Sequence, residues 1–237
     1  MKGLIFENVS LSILQAEKPT QILEDANLIL PPKTMALVGE SRVEVVAVLD
    51  LLCRRLIPQR GKIHFGGAVS WPIGRSGPFF ITITGTQAIS HFSVVYGFDR
   101  AQALAFMRAE FPKRELLTRP ISTWPKKLQT QFTMLMALIP EFDIYLVDAN
   151  IILPDDVVFC QRFLKLFNMR RQGKTTLITA RQRKVLHALC DGAIVVANRH
   201  IYRQKNLDAA LAISNQISYE ISSSEDKKDT FDYDMMI

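Results

Sequence analysis

The sequence predicts an α/β domain built on a largely parallel sheet. Three observations carry this reading. Short apolar runs of strand length alternate with segments of helical spacing. One run, Ile144-Tyr145-Leu146-Val147, is apolar at successive positions and ends at Asp148, the pattern of a central strand covered on both faces. Turn-forming residues separate most of the segments.

In chain order, Leu4 to Ile13 alternates loosely and reads as a strand. After the polar turn Gln15–Thr20, Ile22 to Leu30 reads as a second. Pro31-Pro32-Lys33 is a turn, and Met35 to Val38 is a short buried strand ending at Gly39. Glu44 to Leu56 has helical spacing and is broken by Pro58 to Gly61. Lys62 to Val69 is strand-like, and a Gly/Pro/aromatic loop runs from Trp71 to Gly85. Gln87 to Val95 and Arg100 to Ala109 read as helices, the second ended by Pro112. Leu128 to Ile139 is a Met-rich apolar helix, and Val157 to Met169 is a helix. Thr175 to Ala180 is a strand, Lys184 to Leu189 a helix, Ala193 to Ala197 a strand and Leu207 to Ile213 a short helix. There is no internal repeat.

The composition narrows the function classes. With 48% hydrophobic and 22% charged residues, the 237-residue chain buries a core and is not globally disordered. No stretch reaches the roughly 20 apolar residues of a bilayer span. Glu7 interrupts the N-terminal segment too early for a signal peptide, so the expectation is a cytosolic chain. Cys53, Cys160 and Cys190 form no close pair, which argues against disulfides or a thiolate zinc site. His64, His91, His187 and His200 are scattered without ligand spacing, and no metal site is expected. The net charge of +6 is uneven. Residues 218–237 hold Glu220, Glu225, Asp226, Asp229, Asp232 and Asp234 against Lys227 and Lys228, leaving a basic body. A basic body could sit near anionic lipid headgroups or nucleic acid, but the favoured reading is a solvated basic surface.

Several landmarks recur in a fixed order. A strand and Gly39 lead into a helix, and Ser122-Thr123-Trp124-Pro125 opens another. A buried strand ends at Asp148, and a later strand reaches Arg181. Between them stand Val69-Ser70-Trp71-Pro72-Ile73-Gly74, Thr84-Gly85, Tyr96-Gly97, Pro140 to Asp148, and Cys190-Asp191. Over about residues 3 to 214 this order resembles the nucleotide-binding subunit of an ATP-binding cassette (ABC) transporter. It most resembles the branch that exports capsular and related cell-surface polysaccharides. The resemblance implies an ABC-type P-loop NTPase fold: a RecA-like core, an antiparallel β subdomain and a helical subdomain at about 85–130. It implies one ABC ATPase-like domain over 1–217, followed by an acidic tail, 218–237, expected to be flexible.

The same resemblance implies an altered ATP site. A phosphate loop reads G-x-x-x-x-G-K-[ST]: its amides wrap the phosphates, its lysine neutralises them and its hydroxyl holds magnesium. Here the window is Gly39-Glu40-Ser41-Arg42-Val43-Glu44-Val45-Val46. Glu44 replaces the second glycine, Val45 the lysine and Val46 the hydroxyl. A carboxylate about 4 Å from a phosphate costs on the order of 4 kcal/mol at an effective dielectric of 20. Asp148 matches the acid that helps hold magnesium, but Ala149 stands where a glutamate would polarise water. Arg181 replaces the histidine that touches the γ-phosphate. Phe80 falls near the magnesium-sensing glutamine, and Ile13 near the aromatic that stacks on adenine. In the signature, Thr123-Trp124-Pro125-Lys126-Lys127, proline replaces a serine and Lys127 a glycine. Asp148, Arg42 and Arg181 are the residues from which an atypical site would be built.

Each motif also has a plainer reading. Asp148 fits a turn cap, Lys126-Lys127 a solvated helix start, and Met134 and Met136 core filler. Trp71, Phe79, Phe80 and Tyr96 fit either core or a surface that docks a membrane permease. Gly173-Lys174-Thr175-Thr176 precedes a strand, so it is no phosphate loop.

The resulting expectation is a catalytically silent ABC-type subunit with no cofactor, MgATP being bound only if the atypical site works. Its partners would be the integral-membrane permease of a polysaccharide exporter, an intact ABC ATPase subunit or a second copy of itself. Nucleic acid is not expected. It would associate peripherally with the inner face of the cell membrane. The alternatives are a working export ATPase with an unorthodox site, and a free-standing regulator that kept the fold.

Overall fold

The computed structural model describes residues 3–15, 17–75, 81–148, 156–180 and 182–214. Two sheets organise it. The smaller is antiparallel with order β2-β1-β4, from β1 (Leu4–Gln15), β2 (Lys18–Leu30) and β4 (Arg60–Phe65). The larger has order β5-β6-β3-β7-β8, from β3 (Thr34–Gly39), β5 (Ile144–Asp148), β6 (Thr175–Thr179), β7 (Ala193–Ala197) and β8 (His200–Gln204). Its first four strands are parallel and β8 runs antiparallel to β7.

Alternation along each central strand divides the core in two, because successive side chains leave a strand on opposite faces. Met35, Leu37, Ile144, Leu146, Ile194 and Val196 face the small sheet and helix α1 (Arg42–Leu52). Ala36, Val38, Tyr145, Val147, Ala193 and Val195 face the opposite layer. That layer holds α4 (Lys126–Met136), α5 (Val157–Arg171), α6 (Arg183–Leu189) and α7 (Leu207–Ile213). The pair α2 (Gly85–Tyr96) and α3 (Arg100–Glu110) adjoins it, followed by 3₁₀ turns at Arg114–Thr118 and Ile121–Thr123. Met134 and Met136 are fully buried core residues. Among the described residues, no helix is long and apolar enough to cross a membrane.

Several elements depart from the sequence expectation: β2 begins at Lys18, inside the expected turn Gln15–Thr20, and α4 ends at Met136 rather than Ile139. The first helix ends at Leu52, not Leu56. The Arg55 amide bonds Asp50 O and the Arg54 amide bonds Leu51 O, closing a Schellman turn with Arg54 at φ +61° where glycine is usual. Strand β8 was not foreseen. It is joined to β7 by Asn198 and Arg199, both left-handed (φ 50° and 66°), a two-residue hairpin without the glycine that marks such turns. The strand expected to reach Val69 ends at Phe65. The chain then crosses to the large sheet and runs along the outer edge of β5, bridging Val69 to Ile144 and Ile73 to Val147. The Ser70 amide bonds Ile144 O at 2.9 Å, and the Asp148 amide bonds Ile73 O at 2.7 Å. This strap delivers Arg75 to the end of β5.

Candidate functional site

The site lies where β3, β5 and β6 end. After Gly39 only Glu40 and Ser41 precede the helix, so the 39–46 window forms a tight strand–turn–helix. Ser41 is the N-cap, and the Glu44 carboxylate reaches back to accept from the Ser41 amide at 2.9 Å. A helix N-terminus presents unpaired amides and partial positive charge, and here the chain's own carboxylate takes that role. The turn is closed down: a Cβ on Gly39 would meet Val45 Cγ2 at 2.9 Å. Burial pushes the Glu44 carboxyl above its ordinary value against the pull of the Ser41 amide, and Glu40 adds to the rise. Val45 is buried in the core beneath the small sheet, and Val46 is half-buried.

Asp148 terminates β5 with 3% of its side chain exposed. Arg42 Nη2 donates to both of its oxygens, at 2.5 and 2.7 Å. Arg75 Nε donates to Oδ2, and the Thr179 hydroxyl on β6 donates to Oδ1 at 2.9 Å. Arg75 continues to Asp50 on α1, Nη1 to Oδ1 at 2.9 Å, and Asp50 also meets Arg55 at 3.7 Å. Burial alone would push the Asp148 carboxyl up. The hydrogen bonds and charges of Arg42 and Arg75 outweigh it and hold the group below the usual carboxylate range. Burial likewise pulls the Arg75 guanidinium down, and its bonds to Asp148 reverse that.

The structure thus brings together Gly39, Arg42, Glu44 and Asp148 from the expected set. It adds Arg75, Thr179 and Asp50, which were not foreseen. Their signal was Asp148 itself: an acid at the end of a fully apolar strand needs cations from elsewhere in the chain.

The other expected positions stand apart from this cluster. Ile13 is half-buried near the end of β1, paired with Thr20. In the signature segment Thr123 is exposed, while Trp124 is buried against Phe111 and Phe132 with centroids at 5.4 and 5.2 Å. The Trp124 indole donates to Arg119 O at 3.1 Å. Pro125 is the N-cap of α4, Lys126 is exposed, and Lys127 meets Asp156 at 3.2 Å. Trp71 is buried in an aromatic cluster with Phe92, Tyr96 and Phe142. Tyr96 is 39% exposed. Phe79, Phe80, Ala149 and Arg181 lie outside the described residues, as does the segment 218–237.

Comparison with solved structures places this architecture. The chain superposes on the ATP-binding subunit of an ABC transporter with a TM-score of 0.71 and 15% identity, covering 86% of this chain and 90% of that one. The chain has the ATP-binding-cassette fold. The cassette also superposes on a dimeric bacterial ABC transporter cassette at a TM-score of 0.68 and 13% identity, covering 86% and 98% of the two chains. No family model matches the sequence. Among curated proteins, the cassette is 24% identical over 160 residues to the capsule polysaccharide export ATP-binding protein CtrD of Neisseria meningitidis serogroup B. That match spans 68% of this chain and 74% of CtrD. It is 23% identical over 198 residues to the polysialic acid transport ATP-binding protein KpsT of Escherichia coli, spanning 82% and 88%. The relatives of this cassette are therefore ATP-binding proteins of polysaccharide export systems.

Proposed function

We propose that this cassette is a catalytically silent subunit of a polysaccharide export machine, acting as a structural or regulatory partner rather than as the motor. The observation that carries the proposal is the occupation of Asp148 by two guanidinium groups and a hydroxyl. An acid that holds magnesium needs a free oxygen face toward the cation, and arginine brings two fixed positive charges to that face instead. The Glu44 carboxylate engages an amide of the turn that would face phosphate. The two-residue turn leaves no wide nest of amides, and the buried Val45 supplies no cation. In the arrangement described, these residues do not fit a magnesium-bound triphosphate. Positive and negative charge are matched within the chain, so the end of the sheet is held together without a ligand.

The cassette would sit peripherally at the inner face of the cell membrane, pairing with an intact ATPase subunit or a second copy and docking on a permease. Its exposed α2 end, Val94-Val95-Tyr96, suits that contact better than the buried Trp71. The domain would be residues 1–217, with the helical part near 85–130 providing the docking face.

Titration with a fluorescent ATP analogue and magnesium tests the proposal. Absence of saturable binding up to millimolar nucleotide is expected. Tight magnesium-dependent binding would overturn it and favour the second reading, a working ATPase with an unorthodox site. That reading draws on the relatives' description as ATP-binding proteins and on the retained Asp148. Co-purification with a permease or ATPase subunit separates a machine component from a free-standing regulator.

A further inference from the structure

Arg75 joins two carboxylates that belong to different elements of the fold. Its Nε donates to Asp148 Oδ2 at the end of β5, and its Nη1 donates to Asp50 Oδ1 on α1 at 2.9 Å. Arg42, the first residue of α1, bonds the same Asp148. From Arg42 to Asp50 the helix rises about 12 Å at roughly 1.5 Å per residue. The helix is therefore fastened to the end of β5 at two separated points, by Arg42 directly and by Arg75 through Asp50. Arg55 also meets Asp50, at 3.7 Å, but it is largely exposed and does not reach Asp148. Among the described residues, Arg75 alone bridges the two acids.

The backbone fixes where that guanidinium sits. The strap is bonded to β5 through the amides of Ser70, Ile73 and Asp148. The buried Ser70 hydroxyl accepts from the Leu146 amide at 2.9 Å, and Trp71 packs on Phe92 and Phe142. The Arg75 amide returns to Pro72 O at 3.3 Å, closing a turn just past Ile73. A cation carried on such a segment cannot diffuse away. Its fit is a matter of charge more than of a full set of bonds, because Nη2 is buried and bonds none of the described residues. Proteins hold magnesium through one or two carboxylates and water. Asp148 and Asp50 are two carboxylates about one positive charge, and here the chain supplies that charge itself.

We propose that Arg75 is a tethered counter-ion that takes the place of a divalent cation between Asp148 and Asp50 and clamps α1 to β5 without any ligand. This rests on the reading in the preceding section that the site holds no magnesium-bound triphosphate. It adds what regulates the site instead. The joint between α1 and β5 has no ligand to gain or lose, so the subunit presents one arrangement to its partners at every nucleotide and magnesium level.

Thermal unfolding of the full-length chain, in EDTA and then in manganese or magnesium chloride without nucleotide, tests this. Wild type should melt at the same temperature in both. Arg75→Ala should melt lower in EDTA and recover saturably with divalent cation. A dissociation constant near 1 mM, as for a weak site of two carboxylates, gives a rise of about 4–7 °C at about 20 mM cation. Potassium chloride of equal ionic strength should not reproduce that rise. Asp50→Asn combined with Arg75→Ala should abolish it. Arg75→Lys, which keeps the charge, should melt between wild type and Arg75→Ala and ignore divalent cation. An Arg75→Ala chain that answers divalent cation no more than wild type does would overturn the proposal, as would a recovery that persists without the Asp50 carboxylate. Should Arg75→Ala not fold in EDTA, it should refold from urea once manganese is added, and failure to do so counts equally against the proposal. MgATP binding by wild type would defeat the silent-subunit reading, whereas a missing cation response in Arg75→Ala defeats only the exchange of metal for arginine.

Discussion

Arg75 and Asp148 are 73 residues apart in sequence, yet the guanidinium of one is bonded directly to the carboxylate of the other at the end of β5. Arg42 approaches the same carboxylate from the start of α1. The carboxylate is thereby a junction of four parts of the chain: the β3–α1 turn, the strap along β5, the end of β6 and β5 itself.

Removing the charge at that junction leaves two guanidinium groups facing each other beside an apolar strand. Asp148→Asn should destabilise the cassette by about 3–5 kcal/mol, read as a lower urea midpoint at pH 7. Replacing all three members with apolar residues of similar size, as in Arg42→Met with Arg75→Met and Asp148→Leu, should cost less, because no charge remains at the end of β5 and the part-exposed Asp50 keeps Arg55.

The same junction gives a signed pH dependence. The folded Asp148 group titrates below the ordinary carboxylate value, so the unfolded chain takes up its proton first as pH falls. The stability Asp148 contributes should be fully present above about pH 4 and fade as pH drops through its folded value. Urea midpoints of wild type and Asp148→Asn, measured from pH 7 down to pH 2.5, should converge at the acid end.

Grafting the missing phosphate-loop residues should not restore an ATP site. Val45 is buried, so Val45→Lys drives an ammonium into the core beneath the small sheet. This should cost at least about 3 kcal/mol. The triple variant Val45→Lys, Val46→Ser, Ala149→Glu should melt well below wild type and show no magnesium-dependent nucleotide fluorescence change.

Trp124 is a packing anchor in the structure. Its ring closes on Phe111 and Phe132 and its indole nitrogen is bonded. Trp124→Ala should cost about 3–5 kcal/mol by calorimetry or denaturant. Lys126→Ala, at an exposed position, should change stability by less than about 0.5 kcal/mol.

The regular elements were legible because their periodicity comes from burial, which the sequence writes directly. Ile144–Asp148 and Ala193–Ala197 were read residue for residue. The features that escaped were set by left-handed residues without glycine: Arg54 at the end of α1, and Asn198-Arg199 before β8. At the site, the substitutions at 44, 45 and 46 could be read in place. The contraction of the turn could not, because Ser41 caps three residues ahead of the expected helix start through a reciprocal bond to Glu44. Arg75 was hidden for a different reason. It sat in what read as a loop, and only the pairing of residues 69–73 with β5 brings it to Asp148.

That strap has one more effect. By hydrogen-bonding along the outer edge of β5, it seals the large sheet on that side, so no foreign strand can be added there. The opposite border of the small sheet, β4, is guarded differently, by the exposed cations Arg60 and Lys62. At these two borders a second protein would meet a covered edge or a row of charged side chains rather than an open ladder.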